Sequence, residues 1–399
     1  MTTDELGAIA LYVHIPFCET RCPYCDFNTY TGVEALIPSY VRALQREIVL
    51  WGESLGRPTV NTVFLGGGTP SYLPAEQIRS VVETTRSAMD LVPGAEVTIE
   101  ANPGDLTPAK LSTYVGCGID RLSIGVQSLN DRLLGVLGRR HSAAQAVQAY
   151  RSAVDAGLDN ISIDLMYGLP CQTIGDWEQT LNEALALASA HVSVYCLTLE
   201  GGTPMERQVE AGLIPEPDPD LAADMYLLAG DALARRGYEG YEISNWALPG
   251  FESRHNLTYW RNQPYLGVGP GAHSYLPNVR FSNVRSPEEY VRRLRDDRPK
   301  VGRTIGTLAG AVVGTPAIES VEAIDRRLEM AETLMLGLRL DVGVGVDEFA
   351  LRFGATPAQV YGATLDDLGG LGLLGCVDGR LRLTPRGRLL GNEVFARFF

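Results

Sequence analysis

The segment "LYVHIPFCETRCPYC" (Leu11–Cys25) begins as a short apolar run, is stopped by Pro16, and opens into a loop holding Cys18, Cys22 and Cys25. Three and then two residues separate the cysteines. A structural zinc site takes four ligands and a disulfide takes two thiols, so a trio leaves one place to be filled. The apolar run is also the first of a series. "TVFLGGGTPS" is a buried strand ending in a glycine loop, "EVTIEANP" the third strand, "IDRLSIGVQS" the fourth, "NISIDLMYGLP" the fifth and "HVSVYCLTLE" the sixth. Between them lie helical patterns: Ile37, Val41, Leu44, Ile48 and Trp51, a helix at about 74–89, then Ala143–Ala156 and Trp177–Ala188.

This alternation predicts six βα units, hence a parallel sheet joined by right-handed crossovers. Polar or special residues stand just past each apolar run: Cys18–Cys25, Gly66–Thr69, Glu100, Gln127, Asp164 and Thr198. Barrel-type sheets carry their chemistry at such C-terminal strand ends. A doubly wound open sheet would have no common site for them. The expected fold is therefore α/β, a partial (β/α)6 barrel over residues 1–203. From there the pattern loosens. "LIPEPDPD" is a linker before a helix at Leu221–Arg236, and "YEGYEISNWA" and "SRHNLTYWRNQPYLGVGPGAHSY" are rich in aromatics and glycine. Residues 204–315 are expected to extend the barrel. Residues 316–399 change character again, with the amphipathic "RRLEMAETLMLGLRL" and a two-stranded wing in "GLLGCVDGRLRLTPRG". A C-terminal winged-helix-like α+β domain is expected. It lacks a strong basic excess, so it reads as a docking module rather than a DNA reader.

The totals exclude several classes. A chain of 399 residues with 45% apolar residues buries a real core. Its net charge is −14, which argues against nucleic acid as a partner. No apolar stretch is long enough to span a membrane, the acidic start lacks a basic n-region, and no lipidation motif is present. Four of the seven cysteines are scattered and three cluster. That usage suits a metal site in a reducing cytoplasm, with any membrane contact peripheral.

Thiolates bind zinc, Cu(I) or iron–sulfur clusters. No second CxxC pair completes a zinc site, and His14 lies inside an apolar strand, where a core hydrogen bond is its simpler role. A redox pair of Cys22 and Cys25 leaves Cys18 unexplained. A [4Fe–4S] cube on three cysteines leaves one iron open to a substrate or cofactor. Glu100 and Asp164 stand where carboxylates can hold ribose hydroxyls or an ammonium, and Gln127 and Arg139 where ribose and a carboxylate can be held.

Taken together, "YVHIPFCETRCPYCDFN", "GGGTPS", "IEANPG", "RLSIGVQS", "IDLMYGLPCQT", "YCLTLEGGTP", "YEISNWA", "RHNLTYW" and "YLGVGPGAHS" resemble the HemN-like radical-SAM family almost end to end. The resemblance implies a [4Fe–4S] cluster on Cys18, Cys22 and Cys25, with the amino and carboxylate groups of S-adenosylmethionine (SAM) on the open iron. It implies a SAM site of Tyr12, Tyr24, Gly67, Gly68, Thr69, Glu100, Gln127, Arg139 and Asp164, closed near Thr198. Within the family the chain is similar to heme chaperones rather than to the oxygen-independent coproporphyrinogen III dehydrogenases. The dehydrogenases carry a fourth cysteine two residues after the third, where this chain has Phe27, and a long N-terminal extension for which Cys18 lies too early. The chaperones share an H-N-x-x-Y-W motif, here His255 to Trp260. That motif implies heme bound by His255, with Tyr259 and Trp260 as flat apolar faces. His273 is the second candidate ligand, ahead of His141 and His191. The implied function is delivery of heme to apo-hemoproteins, respiratory enzymes at the membrane among them. The competing reading is radical oxidative decarboxylation of propionate side chains. No catalytic residue is assigned.

Overall fold

In the computed structural model, which describes residues 6–295, 312 and 314–399, the six apolar runs are strands. They are β1 (Ile9–Ile15), β2 (Thr59–Gly67), β3 (Asp90–Ala101), β4 (Arg121–Gln127), β5 (Asn160–Tyr167) and β6 (His191–Cys196). Residues 1–5, 296–311 and 313, which fall in the first two expected regions, lie outside the described residues. Each strand pairs in parallel with the next in chain order. Parallel neighbours need a crossover, and helices supply it: α1 (Ile37–Ser54), α2 (Ala75–Ala88), α3 (Pro108–Gly116), α4 (Asp131–Val136), α5 (Ala143–Asp155) and α6 (Ile174–Ala186). Local chemistry sets their starts. Ser142 with Gln145, and Thr173 with Asp176, form reciprocal capping boxes for α5 and α6. The Thr173 cap starts α6 three residues before the helix expected at Trp177.

The six strands curve. A flat sheet could not line one cavity with a residue from every strand, yet Tyr12, Phe64, Glu100, Ser123, Asp164 and Ser193 all face the same space. The sheet does not close. Beyond β6 the chain forms α7 (Pro204–Glu210) and α8 (Pro219–Ala234), and then β7 (Glu239–Gly240) and β8 (Asn245–Ala247), which add antiparallel to that edge. After α9 (Arg254–Trp260), β9 (Tyr265–Val268) returns to the other edge and lies parallel to β1. The antiparallel β10 (His273–Leu276), β11 (Val279–Asn283) and β12 (Ile318–Ala323) follow, with α10 (Pro287–Arg293) after β11. The spatial order of the twelve strands is β12-β11-β10-β9-β1-β2-β3-β4-β5-β6-β8-β7, an open, partial barrel with added edges.

The remainder is a small α+β body with its own core, including Leu334, Phe349, Phe353, Leu368 and Val394. Helices Arg326–Gly337, Val346–Phe353 and Pro357–Gly370 pack with a three-stranded antiparallel wing of Val344–Gly345, Leu374–Val377 and Arg380–Leu383. Gly354 ends the second helix in the left-handed conformation, the common glycine stop. This is a winged-helix-like arrangement. Among the described residues no helix is long and apolar enough to cross a membrane.

Candidate functional site

The cysteine loop leaves β1 at Pro16 and closes on itself. The Cys18 amide donates to the Tyr30 carbonyl at 3.0 Å, and the Tyr30 amide to the Pro16 carbonyl at 2.7 Å. All three thiols line a cavity of about 600 Å3 at the C-terminal ends of the strands. Cys18 Sγ lies 3.3 Å from Thr69 Oγ1, and Arg139 Nη1 donates to Cys22 Sγ at 3.4 Å. Burial pushes the Cys18 and Cys25 thiols up, so a metal's charge is needed to make them thiolates. Among the described residues no three His, Cys, Asp or Glu side chains surround a single-ion site. An iron–sulfur cluster distributes its thiolates over separate irons, so a trio lining one wall suits it better than it suits one ion.

All nine residues expected at SAM line the same cavity, as does Thr198. Gly67 holds φ +113°, and a Cβ there would lie 2.4 Å from the His14 ring. A Cβ on Gly68 would lie 2.8 Å from the Phe17 carbonyl. The Gly68 and Thr69 amides donate to the Ile15 and Phe17 carbonyls at 2.8 and 2.9 Å. The glycine loop is thus pressed onto the end of β1, a packing need beyond the ligand approach its sequence suggests. The Gly67 amide donates to Glu100 Oε2 at 3.1 Å. Burial pushes the Glu100 carboxyl up to about 7, and the Asp164 charge adds to that rise. Asp164 itself accepts from Ser123 Oγ at 2.7 Å and Ser162 Oγ at 2.8 Å. Arg139 is held by the Gly125 carbonyl at 2.8 Å, and its Nε is buried without a partner. Gln127 Oε1 is likewise buried and unpartnered, on a backbone at φ +65° that non-glycine residues rarely adopt. Unpaired buried polar atoms around a cavity are what a polar ligand satisfies. The residues present fit SAM beside a cluster.

Several lining residues escape sequence reasoning. Arg121 opens β4, is 2% exposed, and faces the cavity floor. An arginine heading an otherwise apolar strand was the available signal. Ser123, Ser193 and Tyr195 line the wall through strand alternation alone. Arg140 ties the cysteine loop to the end of β3 by pairing with Glu19 and, at 2.5 Å, with Asp105.

The "HNLTYW" stretch is α9, capped by Ser253, whose Oγ accepts from the Asn256 amide at 3.3 Å. Glu96 accepts from the Arg254 and His255 amides at 3.1 and 3.0 Å. The His255 ring is 1% exposed. Its Nδ1 meets Thr62 Oγ1 at 2.8 Å, its Nε2 meets the Tyr259 hydroxyl at 2.9 Å, and its plane stacks on Phe64 at 5.0 Å. Burial holds the imidazole down to about 3, so it is neutral with both nitrogens engaged. His255 and Tyr259 edge the main cavity, whereas Trp260 is absent from its lining and lies under the Arg339 guanidinium at 4.8 Å. The motif's members are therefore not gathered on one ligand surface. His273 is exposed and lines an adjoining cavity of about 350 Å3. His141 and His191 are buried.

Comparison with known proteins gives the same outline. The Radical SAM superfamily profile matches residues 12–184, and the HemN C-terminal domain profile matches residues 324–390. The chain is 36% identical to the heme chaperone HemW of Bacillus subtilis over 97% of this chain and 98% of that one. It is 37% identical to the heme chaperone HemW of Mycobacterium tuberculosis over 96% of this chain and 93% of that one. The mitochondrial radical S-adenosyl methionine domain-containing protein 1 of Bos taurus is 40% identical over 84% of this chain and 74% of its own. Among solved structures, the coproporphyrinogen III oxidase HemN of Escherichia coli superposes with a TM-score of 0.82 over 98% of this chain and 90% of its own. At 23% identity that likeness is one of fold.

Proposed function

This chain belongs to the HemW family within the radical SAM superfamily, and we propose that it is a heme chaperone that holds a [4Fe–4S] cluster, SAM and heme and passes heme to apo-hemoproteins. The observation that carries the reading is the 35–37% identity to curated heme chaperones along nearly the whole chain, the last domain included. In this reading Cys18, Cys22 and Cys25 hold the cluster and leave one iron to SAM. Once reduced by an external electron donor, such a cluster would supply the single low-potential electron that cleavage of a bound sulfonium needs.

The chain's own residues position the ligand. Arg139, with its free Nε, takes the carboxylate of SAM, and the Gln127 amide turns to the ribose. Glu100 and Asp164 accept from ribose hydroxyls or the ammonium, the second braced by Ser123 and Ser162. Tyr24, packed with the satellite cluster of Leu133, Leu137, Met166 and Met205, shuts water from that side. The heme acceptors are proposed to be respiratory enzymes at the membrane, reached from the cytoplasm by peripheral contact.

Phe27, 63% exposed beside Cys25, stands against the dehydrogenase reading, which calls for a thiol there. The test is paired. Anaerobically reconstituted protein with SAM and reductant should leave coproporphyrinogen III unchanged, and heme-loaded protein should hand heme to an apo-hemoprotein. Protoporphyrinogen formation without heme transfer would reverse the assignment.

A further inference from the structure

We propose that the imidazole presented to the heme iron is His273, in the cavity between the β9–β10 turn and the cysteine loop, and that His255 is a strut of the barrel wall. This rests on the heme reading above. A ligand to iron must have a lone pair to give. The chain has five histidines. His14 spends its nitrogens on the Tyr12 hydroxyl and the Asn28 carbonyl, both at 3.0 Å. His191 spends its own on Ser162 Oγ and the Tyr241 hydroxyl, both at 2.8 Å. His255 is bonded at both nitrogens, as described. His141 gives Nε2 to the Val126 carbonyl at 3.0 Å, and its Nδ1 is sealed in the core. Of the five histidines, all among the described residues, His273 alone is exposed, with no hydrogen bond to either ring nitrogen. Recruiting His14, His191 or His255 strands a buried partner, at about 1–3 kcal/mol each, and the one unpartnered nitrogen of His141 is shut away from any ligand.

The surroundings of His273 suit a flat aromatic macrocycle. Tyr12, Phe27, Tyr259 and Tyr265 bring rings to its cavity. Tyr12, Phe27 and Tyr259 also wall the main cavity, so a ligand here would lie against the SAM site. Arg280 and Arg285 act electrostatically on His273. Arg280 is committed to Glu322 and Glu332, whereas Arg285 makes no ion pair among the described residues and is exposed. It is placed for a propionate carboxylate. The cavity holds an edge of the macrocycle and leaves the rest in solvent, as suits cargo that is to be given away.

The backbone beneath this imidazole is fixed. A Cβ on Gly269 would lie 2.4 Å from the His14 carbonyl, and one on Gly271 would lie 2.5 Å from Asn28 Nδ2. Asn28 Nδ2 also donates to the Pro270 carbonyl at 3.0 Å. The "GVGPGAH" glycines therefore lock the β9–β10 turn onto the cysteine loop. They leave one side chain free in an otherwise saturated neighbourhood.

The test is a hemin titration of the full-length, cluster-bearing chain, read by the Soret band, EPR spin state and affinity. His273→Ala is expected to lose the axial-imidazole spectrum and to weaken hemin about tenfold or more. His273→Met should keep hemin with a changed axial-ligand signature. His255→Gln should keep the wild-type hemin spectrum while lowering the melting temperature. A His273→Ala protein with wild-type spectrum and affinity would overturn the proposal. So would a well-folded His255→Gln protein that loses the axial signature. A wild-type chain that takes up no hemin would instead overturn the heme reading on which the proposal stands.

Discussion

Glu47 lies in α1, fully buried, and accepts from the Gly269 amide at 2.8 Å, Asn283 Nδ2 at 2.7 Å and the Tyr290 hydroxyl at 2.5 Å. One carboxyl thereby fastens the β9–β11 segment, His273 included, to the helix crossing beneath it. Burial pushes this carboxyl from 4.5 up to about 7, with the three donors opposing a further rise. The folded protein thus holds the Glu47 proton more tightly than the unfolded chain does. Its stabilising share is whole below pH 4.5 and is lost as pH climbs through about 7. At about 1.4 kcal/mol per pH unit, that loss is roughly 3 kcal/mol. Glu47→Gln keeps the shape and removes the titration. Its amide nitrogen meets a donor, leaving one partner unpaired at a cost of about 1–3 kcal/mol. The variant should therefore be the less stable protein at pH 5, and by pH 8 the deficit should shrink by roughly 3 kcal/mol. Urea unfolding of both proteins at each pH measures the difference, in which every other titrating group cancels. A deficit that stays constant within about 1 kcal/mol from pH 5 to pH 8 would refute the burial argument.

Gly67→Ala should cost about 3 kcal/mol or more, from backbone strain and from a Cβ driven into a histidine held on both sides. It should also weaken SAM, whereas Gly116→Ala, which meets nothing within 4 Å, should stay within about 1 kcal/mol of wild type. Equal stability and SAM affinity in the two variants would remove the packing role given to Gly67. Cys22→Ser should lose the iron–sulfur absorption and bound iron after anaerobic reconstitution. Iron and sulfide retained at wild-type levels would exclude Cys22 as a ligand.

The six βα units were legible because each strand is a run of apolar residues with a helical period behind it, and because capping residues mark the helix starts. The edges of the sheet were not. β9 is four residues, Tyr265–Val268, inside a glycine-rich stretch, and its partner β1 lies some 250 positions earlier in the chain. Nothing local to "YLGV" states that pairing. Its register is set by Glu47 and by glycines whose reason is the close approach of His14. The α9 helix was hidden for a related cause. Seven residues carry too little periodicity to announce a helix, and its exposed amides are met by Glu96, far upstream on β3.

The residues of the candidate site were legible by position, since each stands at a strand end and parallel strands that curve must bring those ends together. Which of their atoms are free was not legible, because that depends on neighbours distant in sequence. His255 reads as a ligand when "HNLTYW" is taken alone. Thr62, Tyr259 and Phe64 enclose it, and Trp260 turns away toward Arg339. His273 sits in a run that looks like a turn, and the same glycines that suggest a turn fix it beside the cysteine loop with its nitrogens open. A motif records which side chains occur together, whereas coordination chemistry asks which lone pairs remain after folding. For the histidines of this chain the two questions have different answers.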